Sequence, residues 1–135
     1  MKRMMLGIAA AALATTAAIG AASAAEPAKG MDTTMKILVD AASGMTLYLF
    51  TPDGKDATKS TCVDKCIANW PPFLAPADAK AADEWTIVDV TDKDGKAAKM
   101  WAYDGHPLYF FVKDKKAGDV NGEGVGGVWF VVADK

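Results

Sequence analysis

Hydrophobic positions along this chain follow a short pattern that occurs twice. The segment 47–53, LYLFTPD, returns as the segment 108–114, LYFFVKD. The offset is constant, since 109 − 48 and 114 − 53 both give 61, and Gly44 returns as Gly105 in the same register. One pattern, Gly-x-x-Leu-Tyr-x-Phe-x-x-Asp, therefore covers both copies. A fixed offset of this kind indicates one structural unit used twice.

Each copy of the motif favours a β-strand, because Tyr and Phe are good strand formers. Side chains alternate along a strand, so Tyr48 and Phe50 point to one face and Leu47 and Leu49 to the other. Both faces are apolar, and we therefore expect the strands to be covered on both sides. The equivalent residues of the second copy are Leu108, Tyr109, Phe110 and Phe111.

The aspartate of each copy, Asp53 or Asp114, lies just beyond its strand. In the first copy the segment 51–54, TPDG, is typical of a turn, because Pro presets φ and Asp and Gly suit the later positions. We predict that the aromatic residues pack in the core and that the aspartate hydrogen-bonds its own turn. The functional alternative is that the two aromatic–Asp units form paired binding surfaces.

Alternating and turn-forming residues outside the motifs predict further short elements. A helix is predicted over 62–69, ending before two prolines, and a glycine-rich loop over 118–127. The strands predicted in addition to the two motif strands are 35–39, 85–90, 99–103 and 128–132.

These elements predict a mainly β fold. We expect a single small domain of two related β-hairpin units, about 35–75 and 85–132, with one or two short helical segments. The two motif strands are expected in equivalent places, as neighbours about a pseudo-two-fold axis. The predicted core residues are Leu47, Leu49, Phe50, Leu108, Phe111, Trp129 and Val131.

The first 24 residues have the composition of a secretory signal. Lys2 and Arg3 are followed by an Ala-rich apolar run, and a small-residue cleavage site allows cleavage after Ala24 or Ala25. We expect a flexible lead-in over 25–34 and the folded domain over 35–135. The expected location is periplasmic or secreted, with no stable membrane span after signal cleavage.

Charge and composition argue against several function classes. Removal of 24 residues leaves 111, with no Arg, one His and a net charge of 13 − 17 = −4. A weakly acidic chain without Arg is a poor nucleic-acid binder. No nucleophile with a base can be identified, because a serine or cysteine hydrolase needs a His in a suitable motif. We therefore predict no catalytic residue and no cofactor.

Cys62 and Cys66 are the only cysteines. An even cysteine count in an exported protein predicts a disulfide, and four residues on a helix rise about 6 Å, which a disulfide can bridge. The alternatives are a redox dithiol or metal thiolates. The spacing differs from that of thioredoxin-like motifs, which have two intervening residues.

His106 is the only histidine and lies at the start of the second motif. We predict an ordinary turn histidine and no metal site, because a lone His lacks the partners that a metal site requires. The alternative is copper binding together with Met100 or Met45, since thioether and imidazole groups are suitable copper ligands.

More than the motif resembles a known family, the secreted-repeat proteins also described as predicted lipoproteins with a Tyr-x-(Phe/Trp/Tyr)-x-x-Asp motif. The cysteine pair followed by the segment 69–72, NWPP, is similar to one family segment. The segments 103–109, YDGHPLY, and 118–129 are similar to two others. The resemblance implies no biochemical activity. Lipidation, which requires a cysteine at the signal cleavage site, is not implied for this chain, because its first cysteine is Cys62.

These patterns predict an exported, non-catalytic module that binds an envelope protein or a glycan through its repeated aromatic–Asp strands. The residues proposed to contact the partner are Trp70, Trp101 and His106. The alternative is a periplasmic copper or redox protein that uses His106, methionines and the cysteine pair. The sequence does not identify the ligand.

Overall fold

The computed structural model describes residues 27–30 and 36–133. In these ranges it contains seven strands, one α-helix and two short 3-10 helices, which confirms the mainly β single domain. The predicted signal, 1–24, lies outside the described residues. The elements are β1 (Ala28–Gly30), β2 (Leu38–Asp40), β3 (Tyr48–Phe50), a 3-10 helix (Thr51–Asp53), α1 (Lys65–Asn69), β4 (Trp85–Thr91), β5 (Ala97–Tyr103), β6 (His106–Pro107), a 3-10 helix (Val125–Gly127) and β7 (Trp129–Val131).

The strands form three small antiparallel sheets. Their orders are β1–β2, β3–β7 and β4–β5–β6. Strand β1 lies inside the segment predicted as a flexible lead-in, and the sequence did not indicate it. The predicted strands near 35–39, 85–90, 99–103 and 128–132 are present, with ends shifted by a few residues.

The hairpin of β4 and β5 is the longest regular element, with seven residues in each strand. Its turn is built by Asp92, whose Oδ1 accepts from the backbone N–H groups of Asp94 and Lys96, both at 2.9 Å. The next turn, from β5 to β6, places Asp104 at φ 49° and Gly105 at φ 80°. Two successive residues with positive φ are typical of the tight hairpin turn that this dipeptide predicts.

The two motifs lie side by side, as predicted. Tyr48 and Tyr109 form an antiparallel bridge in which each backbone N–H donates to the other's carbonyl, at 2.8 and 2.9 Å. Equivalent residues of the two repeats therefore pair with each other. The repeats are related by a pseudo-two-fold axis at this bridge.

The second motif forms less regular strand structure than the first. Regular pairing covers only His106–Pro107, although Tyr109 bridges both Tyr48 and Pro72. Prolines explain the difference, because Pro72 and Pro107 have no N–H to donate to a ladder.

The two faces of the paired motifs carry separate core clusters, so both faces are covered, as predicted. The buried residues of the first, the aromatic-side core, are Tyr48, Cys62, Ile67, Trp70, Val88, Val90, Met100, Ala102, Tyr109, Phe111 and Trp129. The buried residues of the second, the leucine-side core, are Leu38, Leu47, Phe73, Trp85, Tyr103, Leu108 and Val132.

Burial is complete for only some of the predicted core residues. Leu47, Leu108, Phe111 and Trp129 are buried. The other three predicted core residues are half-buried, because they lie at the margins of the two clusters: Leu49, Phe50 and Val131.

Candidate functional site

Each repeated tyrosine hydrogen-bonds the aspartate of the other repeat. The Tyr48 hydroxyl donates to Asp114 Oδ2 at 2.6 Å, and the Tyr109 hydroxyl donates to Asp53 Oδ2 at 2.5 Å. The prediction that each aspartate hydrogen-bonds its own turn is therefore wrong, because each carboxylate binds the tyrosine of the opposite repeat. The pseudo-two-fold axis brings the end of one motif over the start of the other, and this places each carboxylate against the opposite tyrosine.

The second oxygen of each carboxylate does bond the loop that follows its own motif. Asp53 Oδ1 accepts from the Thr61 backbone N–H at 2.8 Å, and Asp114 Oδ1 accepts from the Asn121 N–H at 2.9 Å. Asp114 is buried, whereas Asp53 is half-buried. Each aspartate thus joins its own repeat to the other one.

Both tyrosine hydroxyls have a second partner as well. Tyr48 Oη accepts from the Gly122 N–H at 3.1 Å, and Tyr109 Oη lies 2.5 Å from Ser60 Oγ. Both tyrosines are fully buried. Burial raises the pKa of the Tyr48 and Tyr109 hydroxyls above the ordinary tyrosine value, and the hydrogen bond to an aspartate raises each pKa further.

Four aromatic rings are stacked face to face beside these tyrosines. Trp70 and Trp129 lie at the centre, with ring centroids 3.7 Å apart and planes 3° from parallel. Phe111 covers the outer face of Trp70 at 4.0 Å, and Phe50 covers that of Trp129 at 4.3 Å. The stack Phe50–Trp129–Trp70–Phe111, here called the aromatic column, obeys the same pseudo-two-fold symmetry as the motifs.

The two tyrosines meet the column edge-on. Tyr48 contacts Trp70 with centroids 5.5 Å apart, and Tyr109 contacts Trp129 at 5.2 Å, with interplanar angles of 80° and 90°. Gly122 makes the approach on one side possible. A Cβ at this position would lie 2.8 Å from the Tyr48 ring and 2.9 Å from the Trp70 ring, so a larger residue does not fit without a shift.

The cysteine pair forms the predicted disulfide, with Cα atoms 5.2 Å apart. The helix that follows is shorter than predicted and begins at Lys65, so only Cys66 lies on it. The reason is local, because Asp64 has φ 55°, which is outside the helical region. Cys62 is buried in the aromatic-side core.

Of the residues proposed to contact a partner, Trp70 is too deeply buried to do so. It is 5% exposed at the centre of the column, so its earlier assignment as a surface contact is corrected. Trp101 and His106 are half-buried. Trp101 packs edge-on against Trp85 at 6.0 Å. His106 Nδ1 is buried and has no hydrogen-bond partner.

Among the groups of the copper or redox alternative, the cysteines are oxidised and one methionine is enclosed in the core. Both cysteines are in the disulfide, and Met100 is fully buried in the aromatic-side core. Within 27–30 and 36–133 there is no group of three or more His, Cys, Asp or Glu residues placed to hold a metal ion.

The repeat pattern predicted the tyrosines and aspartates of this site but not the column or the exchange of aspartates between repeats. Trp70 and Trp129 are separated by 129 − 70 = 59 positions, not by the motif's 61, so the repeat did not reveal their equivalence. The NWPP and VWF contexts of the two indoles also differ.

Comparison with known families identifies two matching segments. A family model described as a secreted repeat of unknown function matches residues 33–73 and 88–133, and each match contains one copy of the motif. Comparison with curated proteins and with solved structures gave no match. In the part of the chain that the structure describes, no helix is long and apolar enough to span a bilayer.

Proposed function

The chain belongs to the family of secreted repeats of unknown function, and we propose that it is an exported, non-catalytic module that binds an envelope protein or a glycan. The repeated aromatic–Asp units act as its scaffold, because their tyrosines are fully buried and their aspartates are hydrogen-bonded. The partner therefore contacts other residues than the motif tyrosines.

The observation that carries this proposal is a group of half-buried apolar side chains at the margin of the leucine-side core. Trp101 and Phe110 both pack against this core and remain partly exposed. Phe73 connects them, since its carbonyl accepts from the Trp101 N–H at 2.9 Å and its ring meets Phe110 at 5.5 Å. Partly exposed aromatic residues that pack against a core commonly anchor partners.

A non-catalytic role is supported by the state of the candidate catalytic groups. Tyr48 and Tyr109 are fully buried and hydrogen-bonded, so neither hydroxyl is accessible to a substrate as an acid, a base or a nucleophile. The mature chain has a single histidine and no arginine, which leaves few groups for acid–base or oxyanion chemistry.

A periplasmic location is supported by the disulfide, because disulfides persist in oxidising compartments. The copper or redox alternative rests on His106, whose buried Nδ1 has no hydrogen-bond partner. Metal analysis of protein purified from its native compartment distinguishes the two functions. Stoichiometric copper that disappears in His106→Ala contradicts the binding-module proposal.

The direct test is partner capture by the intact mature protein. Trp101→Ala with Phe110→Ala should abolish chemical cross-linking to an envelope protein, or co-sedimentation with purified cell-wall glycan, whichever the wild type shows. Val125→Ala, a change at an exposed apolar residue of the second 3-10 helix, is the matched control and should retain binding. Binding that survives the double substitution in a folded protein would show that the partner uses another surface.

A further inference from the structure

The aromatic column and the tyrosines beside it place two kinds of redox-active group, indole and phenol, in contact. Two indoles are stacked at 3.7 Å, and a phenol meets the edge of each of them. Each phenol already donates a hydrogen bond to a carboxylate. Packing alone requires neither the carboxylates nor a parallel pair of indoles, since aromatic pairs in cores adopt many geometries.

We propose that the aromatic column and its two tyrosine–aspartate pairs form an internal electron donor for strong one-electron oxidants that reach the protein surface. The oxidants are of the class of oxygen-centred radicals and oxidised metal complexes. This activity is separate from partner binding, because it uses no residue of the Trp101 and Phe110 surface.

The electron leaves through the column. Phe50 is the half-buried end of the stack, and its ring lies 4.3 Å from Trp129, so an oxidant at the surface is one ring away from the first indole. Loss of an electron from Trp129 leaves an indole radical cation. Its positive charge is shared with Trp70, because the two rings are parallel and in contact. The phenylalanine rings are harder to oxidise than indoles and do not hold the charge.

A tyrosine then reduces the indole radical cation. In the Trp129 branch, Tyr109 transfers one electron to the indole radical cation, and its hydroxyl proton moves to Asp53 across the 2.5 Å hydrogen bond. The products are neutral Trp129, a neutral Tyr109 radical and protonated Asp53, so charge and protons balance. Tyr48 and Asp114 perform the same step for Trp70.

The carboxylates are what make this step favourable. An oxidised phenol is a strong acid, so it reaches its stable neutral radical only when a base accepts the proton. In a buried site water cannot take that role, and both tyrosines are 0% exposed. Burial also keeps each tyrosine radical away from a second protein molecule, which prevents coupling between radicals.

The experiment is flash photolysis of the intact mature protein with a ruthenium polypyridyl sensitiser and a cobalt(III) acceptor. Transient absorption should show an indole radical that decays as a tyrosyl radical rises. Asp114→Asn should slow the tyrosyl rise about twofold and leave its yield near that of the wild type, because the charge shared by the two indoles still reaches the Tyr109–Asp53 branch. Asp53→Asn with Asp114→Asn should leave a long-lived indole radical. Asp78→Asn, at an exposed carboxylate, is the matched control and should match the wild type.

Two further measurements keep the test decisive if an aspartate variant folds poorly. In the wild type, the tyrosyl rise should slow in deuterated water, because a proton moves with the electron. Tyr48→Phe with Tyr109→Phe should abolish the signal, although Tyr103 remains as the third tyrosine. A wild-type tyrosyl yield in that double variant, or in the folded double asparagine variant, overturns the proposal.

Discussion

The Tyr48 hydroxyl donates to Asp114, the aspartate of the other repeat, at 2.6 Å. The residues are separated by 66 positions along the chain. A single repeat therefore contains a buried tyrosine whose acceptor it does not supply. The exchange joins the two repeats into one cooperative unit, although each resembles a self-contained hairpin motif in sequence.

This exchange predicts which residue pairs are energetically coupled. Tyr48→Phe should cost about 1.5–3 kcal/mol of unfolding free energy, because it removes a hydrogen bond to a buried charged group. A double-mutant cycle with Tyr48→Phe and Asp114→Asn should give a coupling of at least about 0.5 kcal/mol, as expected of residues in direct contact. Urea unfolding of the four proteins measures it.

The control is a second double-mutant cycle, between the tyrosine and the aspartate of the same repeat. Tyr48→Phe combined with Asp53→Asn should be additive within about 0.5 kcal/mol, because these two residues belong to different hydrogen-bond networks. Stronger coupling of Tyr48 to Asp53 than to Asp114 would contradict the exchanged arrangement.

The raised pKa values of Tyr48 and Tyr109 predict loss of stability at alkaline pH. The unfolded chain loses the tyrosine protons near pH 10, whereas the folded protein holds them to higher pH. Stability is therefore full below about pH 10 and falls above it, by about 1.4 kcal/mol per pH unit for each tyrosine.

Urea midpoints measured from neutral to strongly alkaline pH test this dependence. Tyr48→Phe with Tyr109→Phe lowers stability at neutral pH but should flatten the alkaline fall. An absorbance titration should show Tyr48 and Tyr109 ionising only as the protein unfolds. Early ionisation of all three tyrosines in the folded state would be incompatible with these buried hydrogen bonds.

The close contact of Gly122 with the Tyr48 ring can be tested by adding a methyl group at this position. Gly122→Ala places a Cβ 2.8 Å from the Tyr48 ring, and overpacking of this kind costs about 1–3 kcal/mol. Gly95→Ala is the comparison, because its Cβ would meet open space while its φ of 79° gives backbone strain of about 1–2 kcal/mol. Because both substitutions lower stability by similar amounts, thermal melts alone do not distinguish them, and near-ultraviolet circular dichroism is measured as well. Only Gly122→Ala should change the aromatic signal, and an unchanged signal would show that the tyrosine contact is looser.

The sequence predicted the elements of this fold better than it predicted their contacts. The period of two in 47–50 and the turn residues at 51–54 act locally, so strand and turn positions could be read from neighbouring residues. The offset of 61 predicted that Tyr48 and Tyr109 are equivalent, and the bridge between them confirms it.

The partners of the motif aspartates could not be predicted in the same way. Asp53 suits its own turn, and nothing in its neighbourhood indicates a bond to a tyrosine 56 positions away. The surface assignment of Trp70 was wrong for a similar reason. Its burial depends on Trp129, Phe111 and Tyr48, which come from three different parts of the chain.

The disulfide provides the last prediction. Reduction, or Cys62→Ala with Cys66→Ala, should lower the free energy of unfolding by about 2 kcal/mol or less, because the closed loop is very short. Folding should survive, since Cys62 is a single member of the aromatic-side core and the leucine-side core contains neither cysteine. Alkylation of the exported protein without reductant should add no label by intact mass. The urea midpoint of the reduced protein then measures the cost. Two labelled thiols in freshly isolated protein, or complete unfolding on reduction, would show that the cysteine pair has a role other than local bracing of α1, the helix before Trp70.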